Sequence, residues 1–143
     1  MAEEPQPVSR IIESAFLCDH AVDYGGRLSA LGLFANLVQA PAIPTMHSLT
    51  LVLRVGWLAN RLVDVRLALT VRVTGPTGDE LAVVEMTGEI DDQDLEHPEI
   101  ATGINTILPL VFGITMAGVH QVEIYFEEDL MESIPFKVVT GGQ

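Results

Sequence analysis

The sequence predicts an all-β protein, an antiparallel sandwich of about eight strands built as one domain. Three observations carry this. Apolar residues recur with period two along almost the whole chain, and no long stretch keeps a 3.6-residue period. A long link, Asn36 to Thr45, holds Pro41 and Pro44, which withhold ladder donors and mark a sheet edge or a crossing loop. At 143 residues the chain suits a single core, and a domain of that size buries roughly 70% of the surface its unfolded form exposes. The expected division is a flexible tail over residues 1–10 and one sandwich domain over residues 11–140.

The first element runs from Ile12 to Phe34, two apolar runs joined at Gly25-Gly26. A Gly-Gly turn between apolar runs is a hairpin signal, and because both faces of this one are apolar it is expected where two buried layers meet. A second hairpin is expected from Leu49 to Val73, with Leu49, Leu51 and Leu53 on one strand and Val65, Leu67, Leu69 and Val71 on the other. A three-residue loop, Ala59-Asn60-Arg61, pairs Leu53 with Leu67 and Leu51 with Leu69 and keeps both apolar faces together. Thr74 to Asp79 is a Gly- and Pro-rich turn, and a strand from Leu81 to Ile90 follows. Asp91 to Glu99 is a polar acidic loop, and Ile100 to Thr115 gives one or two strands. Val119 to Glu127 alternates, with Val122, Ile124 and Phe126 inward and Gln121, Glu123, Tyr125 and Glu127 outward. After a turn at Glu127-Glu128-Asp129 the chain closes on Ile134 to Val139, where Pro135 suggests an edge or a bulge.

The net charge is −13, with only seven Lys and Arg, which argues against a nucleic-acid partner because such binding rests on cations displacing counterions. The charge is unevenly placed: residues 1–48 carry five acids and two bases, 49–73 one acid and four bases, and 74–143 fourteen acids and one base. One cysteine, Cys18, leaves no internal disulfide and no CxxC zinc site. The acidic, Pro-rich start lacks the basic and apolar regions of a signal peptide, so a cytoplasmic location is expected. Nothing approaches the roughly 20 uninterrupted apolar residues of a membrane helix, so membrane insertion is not expected. A mean hydropathy of +0.35 is high for so charged a chain, which implies that another chain covers part of the surface.

Leu17-Cys18-Asp19, Ala21, Gly25-Gly26, Leu28, Gly32 and Phe34, then Pro44, His47 and Leu49, and the ending Ile134-Pro135-Phe136-Lys137-Val138 resemble a family of small uncharacterised bacterial proteins of unknown function. The resemblance spans nearly the whole chain and implies an immunoglobulin-like sandwich. It implies no activity. The acidic loop and the basic middle lie outside its pattern.

Few residues are arranged for chemistry. Cys18 and His20, two apart, would share a strand face, but same-face neighbours sit about 6.5–7 Å apart, too far for a thiol and its base. Two ligands are also too few for zinc, with His47, His97 and His120 remote in sequence. Cys18 is therefore expected as a small buried hydrophobe. Asp19 and Asp23 are expected to accept local backbone hydrogen bonds or to pair with Arg27. Asp91, Asp92, Asp94 and Glu96 are oxygen ligands suited to calcium, without the glycine and bidentate glutamate of an EF-hand loop. With one Trp and two Tyr the chain lacks the aromatic walls of a carbohydrate site, and it contains no GxSxG, P-loop, GxGxxG or HExxH. No cofactor and no enzymatic activity are expected.

The expected role is protein association, most simply with copies of the same chain in a ring or filament. The second hairpin's register would set Arg54 opposite Arg66 with Arg72 farther along, a like-charge arrangement costing on the order of a few tenths of a kcal/mol unless an acid intervenes. One reading is a solvated face with acids from a neighbouring strand. The other is a docking patch for the acidic half of another copy, where Glu123, Tyr125 and Glu127 face outward. A calcium- or small-ligand-binding sandwich using residues 91–99 is the alternative.

Overall fold

Period-two alternation becomes ten strands, with no helix among the described residues. The computed structural model describes residues 12–24, 27–32, 36–57, 65–90 and 102–140. The strands are β1 (Ile12–Cys18), β2 (His20–Tyr24), β3 (Arg27–Leu31), β4 (Leu37–Ala40), β5 (Thr45–Trp57), β6 (Val65–Thr74), β7 (Glu80–Ile90), β8 (Thr102–Ile114), β9 (Gly118–Phe126) and β10 (Asp129–Thr140). They form a three-stranded sheet β1-β5-β8, a five-stranded sheet β4-β10-β9-β6-β7 and the separate hairpin β2-β3. Among the described residues only the β4-β10 pair is parallel.

The two larger sheets face each other across one core. Leu17, Leu49, Leu51, Leu53, Leu110 and Phe112 enter it from the three-stranded sheet, and Val71, Val73, Val122, Ile124, Phe136 and Val138 from the other. Burying each such side chain contributes roughly 1.5–3 kcal/mol against exposure. A second, smaller cluster lies on the opposite side of the three-stranded sheet. There Cys18 and Val52 meet Ala21 of the hairpin, with Phe16, Leu28, Ala30 and Ile107 around them. The hairpin thus forms a third layer, and residues 49–53 of β5 are buried on both faces.

Asp19 makes the corner between the layers. Its N–H donates to Leu31 O at 3.0 Å, and Thr50 Oγ1 donates to its carbonyl at 3.4 Å. Gly32, at φ +68°, lies so close to the Asp19 carboxyl that a Cβ has no room. The run expected as one continuous strand is therefore two, Leu17 facing the main core and Cys18 the minor one. This corner and the short edge strand β4 raise the strand number from about eight to ten.

The largest correction concerns the expected Leu49–Val73 hairpin. β5 pairs with β1 and β8, whereas β6 pairs with β7 and β9, so the two strands lie in opposite sheets and Leu53 does not pair with Leu67. In-phase alternation requires only that two apolar faces meet one core; side by side in one sheet and face to face across a sandwich both satisfy it. The expected loop 59–61 lies outside the described residues.

The prolines obey ladder chemistry. Lys137 N–H donates to Asn36 O at 2.7 Å, so Pro135, two residues earlier, presents its missing donor on the same side, just beyond the point where β4 pairing begins at Lys137. The irregularity in β10 lies instead between Leu130 and Glu132. The turn after β6 is closed by Gly75 N–H to Asp79 O at 2.9 Å and Gly78 N–H to Gly75 O at 3.0 Å. The Thr77 hydroxyl donates to Asp79 Oδ1 at 2.6 Å and is the main cause holding that carboxyl below its ordinary range.

Candidate interaction surface

Separating β5 from β6 dissolves the expected basic patch. Arg54 lies opposite Ser14 and Asn105 in the three-stranded sheet, not opposite Arg66, whose register partner in the other sheet is Glu89. Arg54 follows Val52 on the face that the hairpin covers, and Asp23, in register with Leu28, holds an exposed position on the hairpin. Arg72 stands on the outer face of the five-stranded sheet, beside Glu123 of β9. Its Nε is 2.8 Å from Glu80 Oε1, an ion pair without hydrogen-bond alignment. Its guanidinium carbon lies 5.4 Å from the centre of the Tyr125 ring, and the Tyr125 hydroxyl donates to Glu123 Oε2 at 3.1 Å. The acids of a neighbouring strand therefore meet Arg72 within the chain. Glu127 is not on the strand face; it sits in the β9-β10 turn with φ 55°.

The catalytic and metal candidates separate as well. Cys18 is fully buried and His20 exposed, on different strands, because Asp19 turns the backbone between them. Burial first, then the Asp19 charge, pushes the Cys18 thiol up, away from the reactive thiolate. No group of three or more His, Cys, Asp or Glu is placed to hold a metal among the described residues; Asp91, Asp92, Asp94 and Glu96 lie outside them.

Two histidines belong to an aromatic row through the core. His47 meets Phe112 at 5.9 Å, Phe112 meets Phe136 at 5.6 Å, and His120 stacks on Phe136 at 5.2 Å with Nδ1 3.0 Å from Gly118 O. Partial burial lowers the His47 pKa, the Asp19 charge opposing it. A folded pKa below the unfolded one means the unfolded chain binds more protons, so stability falls as pH drops through the unfolded value near 6.5. His47→Gln should flatten that part of the stability curve between neutral and mildly acidic pH, measured by urea unfolding; a curve parallel to wild type would remove His47 as its source.

What the sequence reading passed over is where charge is absent. Residues 28–53 and 100–122 contain no Asp, Glu, Lys or Arg, and they come together in the β5-β8 ladder, where Thr45 pairs with Ile114 and Ser48 with Val111. On the outer face of that ladder the half nearer Val52 lies under the hairpin, and the other half has no cover among the described residues. There Met46 is 67% and Val111 57% exposed, with Met46 lying across Gly113, its register partner. Ile43 and Met116, also exposed, sit in the two loops that leave the same end of the ladder.

A family model matches residues 13–139. The chain belongs to DUF6941, a family of unknown function. No curated protein matches it. For this DUF6941 protein the functional reading therefore rests on its own surface, that of an acidic molecule whose β5 and β8 strands carry no charged residue at the Thr45 and Ile114 end of their ladder.

Proposed function

We propose that this protein is a non-enzymatic association module that assembles with copies of itself. The observation that carries the reading is the exposed apolar half-face of β5 and β8, formed by Met46 and Val111 within segments that hold no formal charge. Exposed apolar side chains that adjoin one another mark an interaction site, whereas single ones are ordinary. Buried Cys18 and exposed His20 fit a scaffold rather than a nucleophile and base. The calcium reading of residues 91–99 gains no supporting observation. Light scattering coupled to size exclusion, from low micromolar to near-millimolar protein, should show a mass that rises above the 15.5 kDa monomer with concentration. A monomer mass throughout would sink the reading.

The strand order also supports the immunoglobulin-like reading. With β5, β6, β7, β8, β9 and β10 taken as strands B, C, C′, E, F and G, the sheets read A-B-E and A′-G-F-C-C′, with β4 as the strand parallel to G.

A further inference from the structure

We infer that the β2-β3 hairpin is a hinged cover, a unit that opens about Asp19 and Gly32 while both larger sheets stay formed, baring Phe16, Cys18, Val52 and Ile107. This goes beyond the association reading and does not depend on it. The hairpin occupies the passage between β1, in the three-stranded sheet, and β4, in the five-stranded one, and it joins neither ladder. Its two ends return to one place: His20 is in register with Leu31, and Asp19 N–H donates to Leu31 O at 3.0 Å. A segment that leaves and returns at one point can swing there without disturbing the strands before and after it.

The hinge itself is built for that duty. Thr50 Oγ1 donates to the Asp19 carbonyl at 3.4 Å and fastens the corner to β5. Gly32, at φ +68°, adopts a backbone conformation that side chains disfavour, and its bare Cα makes room for the Asp19 carboxyl. Beyond the hinge, the packing face of the hairpin is formed by Ala21 and Ala30, directly opposite each other, and by Leu28. Burial energy scales with apolar area, and two alanines contribute little of it. A two-stranded hairpin is at best marginally stable by itself in water, so once lifted from β5 its own ladder loses support and the whole unit opens together.

The test follows thiol exchange at Cys18 in the full chain across sub-denaturing urea, with amide hydrogen exchange under the same conditions. Cys18 is 0% exposed, so it reacts when the cover lifts or when the domain unfolds. The denaturant slope reports the surface exposed, and labelling through the hairpin should rise with no more than about a third of the slope of global unfolding. The β2 and β3 amides should share the protection of the thiol, while those of β5 and β9 hold until the domain unfolds. Leu28→Ala, which trims the cover, should speed labelling at least about tenfold. Val71→Ala, in the main core, should lower the urea midpoint and leave the labelling rate in water unchanged. Far-UV circular dichroism identifies the variants that remain folded, and the wild-type slope needs no variant. A wild-type slope equal to the global one, or faster labelling in folded Val71→Ala, overturns the inference, because Cys18 would then be bared by whole-domain unfolding. Hairpin amides better protected than the thiol, or an unchanged rate in folded Leu28→Ala, overturn it by placing the opening elsewhere. Wild-type labelling in water as fast as in the unfolded chain overturns it by denying a closed state. The mass measurement decides self-association separately from all of these outcomes.

Discussion

Replacing Phe136 by alanine should lower stability by about 3–5 kcal/mol, a large part of the roughly 5–15 kcal/mol that holds a typical domain together. Phe136 is 1% exposed, and it connects the two sheets: it stands in β10, stacks on His120 of the neighbouring strand, and meets Phe112 of the facing sheet at 5.6 Å. Truncation removes both ring contacts and leaves a cavity beside a buried imidazole, which a rigid pair of sheets fills poorly. Urea unfolding should show the midpoint fall with the slope unchanged. Phe136→Leu, which keeps most of the volume, should lose far less. A loss below about 1 kcal/mol for the alanine variant would mean the sheets close over the gap, contrary to the packing described.

The second large effect concerns the hairpin. Ala21→Asp should raise the labelling rate of Cys18 on the order of a hundredfold while the two-sheet core stays folded. Ala21 is 8% exposed and packs in the cluster that seals Cys18. An unpaired carboxylate there costs a few kcal/mol, and the cheapest escape is for β2 and β3 to lift, since they join neither large sheet. About 3 kcal/mol transferred to that opening is roughly a hundredfold in the exposed population. In wild type the buried thiol, its pKa raised by burial, should react slowly. Thiol exchange with an aromatic disulfide, followed alongside far-UV circular dichroism, measures both. A wild-type rate equal to that in denaturant would deny the hairpin its sealing role, and an unchanged rate in a folded variant would deny that it opens as a unit.

Much of the β architecture was legible because alternation is a local property. Val122 and Ile124 face the core while Gln121 is exposed, as their spacing demands. Sheet membership was not legible, because Leu49, Leu51 and Leu53 have the same parity whether β6 lies beside them or across from them. The Asp19 corner was hidden inside an apolar run, because the groups that hold it, Leu31 and Thr50, are twelve and thirty-one positions away. The exposed half-face proposed for association was missed for a different reason. Charge summed over long blocks drew attention to Arg54, Arg66 and Arg72, although Arg72 meets its counter-charge on Glu80. The segments with no charge, 28–53 and 100–122, were as plain in the sequence, and only the β5-β8 ladder brings them together.

The direction of the first and last strands has a practical consequence for anyone attaching a handle to this molecule. β1 runs antiparallel to β5, with Ile12 beside Val55, so the polypeptide enters the sandwich at the end remote from Thr45 and Ile114. β10 runs in the same direction, with Val138 beside Gly118 and Thr140 beside Ala40, and so finishes next to the loops that carry Ile43 and Met116. A fluorophore or affinity peptide fused ahead of Ile12 would project away from Met46 and Val111, whereas the same cargo placed after Thr140 would crowd the region where a neighbour is expected to sit.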